Sequence, residues 1–285
     1  MDPEARDGAL GVFAQATDPE RMRLILERHL QLPGGPPVEV VVCEVAFARR
    51  GTSRGLFQYR VTLRDPAGGG HRDEVVTGVA YGGQRTLRAW DKLQRHHRPA
   101  LADGALVARA AYVPELDLLL QVFPFDHQLP ALELLMAGPW APLVAPLLTR
   151  FGPGDWRLEG WNTEIVRYRV DLRACVRLVV RASEGGTGRT AERRFFAKIY
   201  GNASLAHQAW DGQRRLAAAL ATDDAALATA PLAVYLQDER VLVQDEVSGA
   251  CLRDTIRKDD GCVEAVRRTA RALAGLHCLA VAAPA

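Results

Sequence analysis

Arg194-Phe195-Phe196-Ala197-Lys198-Ile199-Tyr200 decides how the rest of this sequence is read. Its aromatic and β-branched residues make it a strand, and one lysine sits inside the apolar run. Of the 36 basic residues in the chain, only Lys92, Lys198 and Lys258 are lysine. Wherever a generic positive charge suffices, this chain uses arginine, so a lysine kept inside a strand invites a chemical reason. A compact ammonium on a rigid strand can reach phosphate groups as a point charge. The competing reading is a strand-edge lysine that snorkels to water.

Working outward, 165–170 and 175–182 read as strands joined through Asp171-Leu172-Arg173-Ala174, and 183–188 is a hairpin loop. Beyond the lysine strand, 205–220 is a helix carrying Asp211. Two strands at 231–236 and 240–245 follow and lead into Glu246-Val247-Ser248-Gly249. Helices are expected from about Leu252 and over 262–279, with Asp259-Asp260 as a helix start between them.

The N-terminal half runs in the same order. A helix begins at Thr17-Asp18-Pro19-Glu20 and ends near Gly34-Gly35. Segments 38–45, 57–63 and 74–81 read as strands, 84–94 as a helix, and 106–113 and 116–123 as strands; 132–150 is helical and connecting. Matching residues recur at spacings that only grow. Arg60 matches Arg177, Tyr81-Gly82 matches Tyr200-Gly201, and Ala89-Trp90-Asp91 matches Ala209-Trp210-Asp211. Tyr112 matches Tyr235 and Gln121 matches Gln244. Two tandem copies of one strand-rich lobe with a single main helix are therefore expected.

Composition narrows the classes. A net charge of +2 gives no reason to expect nucleic acid or an anionic membrane as partner. No apolar run reaches the roughly 18 residues of a bilayer span, and Met1-Asp2-Pro3-Glu4 has neither the basic nor the apolar part of a secretory signal. A cytoplasmic address is the default expectation. Five scattered cysteines without a CxxC pair read as buried thiols. Seven histidines without HExxH spacing give no metal site.

The second half resembles the aminoglycoside phosphotransferase and choline-kinase-like family over 156–285. "FFAKIY" resembles its lysine strand and "VLVQDEVSG" its hinge, while "ARALAGLHCL" is similar to the helix ending in Leu-His before its catalytic loop. The resemblance implies an α+β fold: a protein-kinase-like N-lobe, an antiparallel sheet with a packed helix, followed by the first helices of a C-lobe. It implies that Lys198, Asp211, Gln244, Asp245 and Val247 bind the nucleotide, with Lys198 on the phosphates, Asp211 holding it, and a hinge backbone open to adenine. As family behaviour it implies ATP and Mg2+ as cofactors and transfer of the γ-phosphate to a small-molecule hydroxyl.

Three departures qualify it. The chain ends at Ala285 before any HGDxxxxN loop, so no catalytic or metal-binding residue is assigned. The expectation is the N-terminal part of a longer kinase, inactive as it stands. Asp211 replaces the usual glutamate and is one methylene shorter, and the turn at 171–174 has no glycine. The first copy has Val79 in the lysine position and is expected not to bind nucleotide. The sequence thus divides into an N-terminal helix and linker (1–36), a degenerate first lobe (37–150), and a kinase-like lobe with hinge and incomplete C-lobe (151–285). A degenerate nucleotide-binding or regulatory pseudokinase, or a tandem-lobe interaction scaffold, are the alternatives.

Overall fold

The computed structural model describes residues 12–32, 34–51, 54–65, 68–82, 84–96, 106–222, 228–249, 252–257 and 262–278. The Asp259-Asp260 turn lies outside them. The chain divides into two compact units, Met1–Pro130 and Ala131–Ala285. Both are mixed α and β, and each is built on an antiparallel five-stranded sheet. No single helix among the described residues is long and apolar enough to cross a membrane.

In the first unit, helix α1 (Pro19–His29) starts at Asp18, whose carboxylate accepts from the N–H groups of Glu20 and Arg21. Pro19 suits the first turn, where no N–H is needed. Strands β1 (Val40–Arg50), β2 (Gly55–Arg64) and β3 (His71–Ala80) form a meander, followed by helix α2 (Arg85–His96). Strands β4 (Ala110–Val113) and β5 (Leu118–Val122) complete the sheet in the order β1-β2-β3-β5-β4. Phe57, Tyr59, Val61 and Leu63 alternate onto one face, where Met22 and Leu26 of α1 and its C-cap Leu30 cover them. The Tyr59 hydroxyl donates to the Ala16 carbonyl at 2.8 Å, which satisfies its one polar atom in this core.

The second unit begins with helices α3 (Pro130–Ala137, which starts one residue before the boundary) and α4 (Ala141–Leu148). Strands β6 (Trp156–Arg169), β7 (Arg173–Glu184) and β8 (Thr190–Tyr200) form its meander, and helix α5 (Ala203–Thr222) follows. Strands β9 (Leu232–Leu236) and β10 (Val241–Asp245) give the order β6-β7-β8-β10-β9. Helices α6 (Leu252–Arg257) and α7 (Cys262–Cys278) pack on each other. Val176, Leu178, Phe195, Ala197, Ile199, Val241 and Val243 form the buried face of the sheet. Helix α4 packs against β6 and β9, as α1 packs against β1 and β4.

The two sheets share more than strand order. Val79 lies opposite Leu119 on β5, and Lys198 lies opposite Leu242 on β10. Tyr112 faces Leu119 and Tyr235 faces Leu242. Asp117 and Arg240, each just before the last strand of its sheet, both have positive φ (42° and 59°). Each N–H donates to the carbonyl three residues back, Pro114 at 3.2 Å and Gln237 at 3.1 Å. The first strand of each sheet carries two bulges. One sequence match falls elsewhere: Arg60 lies opposite Val75, whereas Arg177 lies opposite Phe196, two residues out of step.

Gly201 ties β8 to the β6–β7 turn. Its N–H donates to the Leu172 carbonyl at 2.8 Å, and a Cβ there would stand 2.5 Å from the Asp171 carbonyl oxygen. Gly201→Ala is therefore expected to destabilise the second unit by about 1–3 kcal/mol, since rigid backbone must move. Gly212→Ala, in the middle of α5 with nothing within 4 Å of a built Cβ, should stabilise by about 0.5–1 kcal/mol. Thermal melts of the two variants test this, and equal melting temperatures would contradict it.

Candidate functional site

Directly paired residues in an antiparallel sheet project from the same face. A row of five crosses the second sheet on the face opposite its apolar core: Arg167, Cys175, Lys198, Leu242 and Tyr235. The corresponding row of the first sheet is Arg49, Leu56, Val79, Leu119 and Tyr112. The ends and the leucine agree, and the difference lies in the middle. Leu56 and Val79 are 7% and 0% exposed and close the first sheet with hydrocarbon. Cys175 and Lys198 put a thiol and an ammonium at the same two places, both half-buried.

Lys198 Nζ donates to Gln244 Oε1 at 2.8 Å. No carboxylate pairs with it among the described residues. A half-buried cation answered only by a neutral amide leaves the face with uncompensated positive charge. Burial raises the Cys175 thiol above its ordinary range, and the cations of Lys198 and Arg173 pull it back. Burial likewise raises the Tyr200 hydroxyl, again opposed by Arg173. Helix α5 covers the far side of this face, with Trp210 stacked on Tyr235 at 5.2 Å between centroids. Among the described residues, the buried Tyr235 hydroxyl has no hydrogen-bond partner.

The structure separates two of the sequence-derived site residues. Asp211 does not hold Lys198; its carboxylate pairs with Arg214 and Arg215 one turn further along α5. Helical i,i+3 and i,i+4 spacing makes those the nearest cations, and a short aspartate has little reach beyond them. Gln244, assigned to the hinge, is instead the direct partner of the lysine.

The hinge is also more committed than expected. The Asp245 N–H donates to the Pro231 carbonyl and the Glu246 N–H to the Arg194 carbonyl, both at 2.9 Å. Val247 is 58% exposed, and among the described residues its N–H donates to no backbone carbonyl. The carboxylates here are neutralised, Asp245 by Arg150 at 2.6 Å and Glu246 by Arg177 at 2.6 Å. Sequence reasoning missed both pairs. They join residues 95 and 69 positions apart, and in a chain this rich in arginine no local pattern marks them. Only the acidic pair closing a strand could have signalled that two cations were needed.

No protein-family model, curated protein or solved structure matches the chain. The site is therefore read from its own chemistry.

Lys198→Met should raise the Cys175 pKa, because removing a neighbouring cation disfavours the thiolate. Asp211→Asn should leave it in place. The pH dependence of alkylation, resolved by peptide mass spectrometry, measures this. Cys43, pushed up to about 11 by burial, should be unaffected by either change and serves as the internal standard. An unmoved Cys175 in Lys198→Met would show that the ammonium does not sit beside it.

Proposed function

We propose that the second unit is a nucleotide-binding lobe of kinase-like build, the ATP side of a phosphotransferase acting on a small-molecule hydroxyl. The observation that carries this reading is the half-buried Lys198 on the third strand, held by Gln244 and, among the described residues, without a carboxylate. A lysine on that strand, with the main helix following it and a hinge after the fifth strand, is the arrangement kinase-like enzymes use for nucleotide phosphates. The strand order β6-β7-β8-β10-β9, with α5 between the third and fourth strands, supports it.

The first unit is, on this proposal, a second copy of the same lobe that has lost its ligand. Shared strand order, shared register through the three strands around Val79 and Lys198, and the shared positive-φ residue support a duplication. Leu56 and Val79 fill the place of Cys175 and Lys198, so no lysine stands there for phosphate.

A regulatory or degenerate nucleotide-binding role is the second reading. It is favoured by the arginine pairs on Asp211, Asp245 and Glu246, none of which is left free to ligate Mg2+.

Lys198→Ala should weaken ATP binding by about tenfold or more, the range for a charge-assisted hydrogen bond. Lys92→Ala, on the lobe with Val79, should stay within about twofold of the parent. Equilibrium dialysis with labelled ATP measures both. Loss of affinity in Lys92→Ala alone, or no affinity in the parent, would overturn the proposal.

A further inference from the structure

Lys198 is not the only cation at its end of the face. Cys175 is flanked by Lys198 on β8 and Arg167 on β6, its two cross-strand partners. Arg173 lies two residues back on β7, on the same face, in register with Tyr200. Neighbouring strands are about 4.8 Å apart and alternate residues about 7 Å. The three side chains therefore start within reach of one another around the thiol. That Cys175 responds to both Lys198 and Arg173 agrees with this spacing.

The positive charge is confined to this end. Arg177, the next basic residue along β7 on the same face, pairs with Glu164 and Glu246. Arg194 pairs with Glu192. Among the described residues neither Arg167 nor Arg173 has an acidic partner. The adjoining turn at 170–172 cannot serve as a glycine-rich cradle. Asp171 occupies its left-handed position at φ 61°, and the Leu172 N–H and C=O are already bonded to the Arg169 carbonyl and the Gly201 N–H.

We infer that Arg167 and Arg173, together with Lys198, form a side-chain clamp for a chain of phosphates, doing with guanidinium forks what a glycine-rich turn does with backbone N–H groups. Guanidinium groups match phosphate oxygens bidentately, and three converging cations favour a triphosphate over a monophosphate. This rests on the nucleotide reading only for the identity of the ligand; the clamp would equally hold inorganic polyphosphate.

The test uses the full chain with ATP, adenosine and inorganic tripolyphosphate, titrated by calorimetry. Arg167→Gln and Arg173→Gln are compared with Arg49→Gln, which occupies the corresponding place in the first sheet. All three arginines are exposed, and circular dichroism checks the folds. ATP and tripolyphosphate should bind the parent, and each second-sheet variant should weaken both by about fivefold or more. Arg49→Gln should leave both unchanged. Tripolyphosphate binding that depends on Arg167 and Arg173 and is no weaker than that of ATP, with adenosine not binding, would sustain the clamp and overturn the nucleotide reading. ATP binding of parental strength in both variants would overturn the clamp and leave the nucleotide reading standing. Equal losses in Arg49→Gln would reduce the effect to net charge and also overturn the clamp.

Discussion

Antiparallel pairing of the third and fifth strands settles which side chains meet on each face. Because side chains alternate with a period of two, a register slip of one residue would move Lys198 into the apolar core. The pairing of Lys198 with Leu242, and of Phe196 with Gln244, places the ammonium diagonally across from the only amide on its face of β10. From that follow the hydrogen bond, the half-burial of the lysine, and its position in line with Cys175 and Tyr235. The same register in the first sheet brings Val79 near Gln121. With no cation to bind, the Gln121 side chain turns to the His127 N–H at 2.8 Å.

Charge balance around the end of β10 explains why the positive charge stays where it is. Asp245 and Glu246 would be natural partners for a nearby lysine, but Arg150 and Arg177 hold them with short contacts. Asp211 is held in turn by its own helix. Each carboxylate is satisfied by a planar guanidinium suited to it, and the lysine is left with a neutral oxygen. The two backbone bonds from Asp245 and Glu246 fasten this segment to Pro231 and Arg194. A ligand on this face would meet a stiff edge, with Val247 as its exposed part.

Much of this was legible in the sequence because it is local. The Lys198 strand, the Asp18 cap of α1, and the helices after the third strand all carry their signals within a few residues. Tyr112 with Tyr235 and Gln121 with Gln244 match by spacing, and they occupy equal places in the two registers. The first strands were less readable. Bulges at Val40/Val42 and Val45/Phe47, and at Leu158/Gly160 and Ile165/Arg167, reverse the in-out alternation that identifies a strand. Hence the sequence reading starts β6 at 165 although the strand begins at Trp156, and the Arg49–Arg167 correspondence is hidden. Asp211 pairs away from Lys198 for a different reason: helical geometry supplies Arg214 and Arg215 first. Partner choice among long-range charges depends on distances that no linear pattern encodes.

On the proposed reading, the second sheet carries the ligand and the first does not, because one row differs at Cys175 and Lys198. Backbone hydrogen exchange of the whole chain, with and without a non-hydrolysable ATP analogue, tests this most directly. Added protection should appear at 172–177, 196–200 and 243–248, with none at 54–58, 77–81 and 120–123. Protection at the first-sheet segments, or no change at the second, would contradict it.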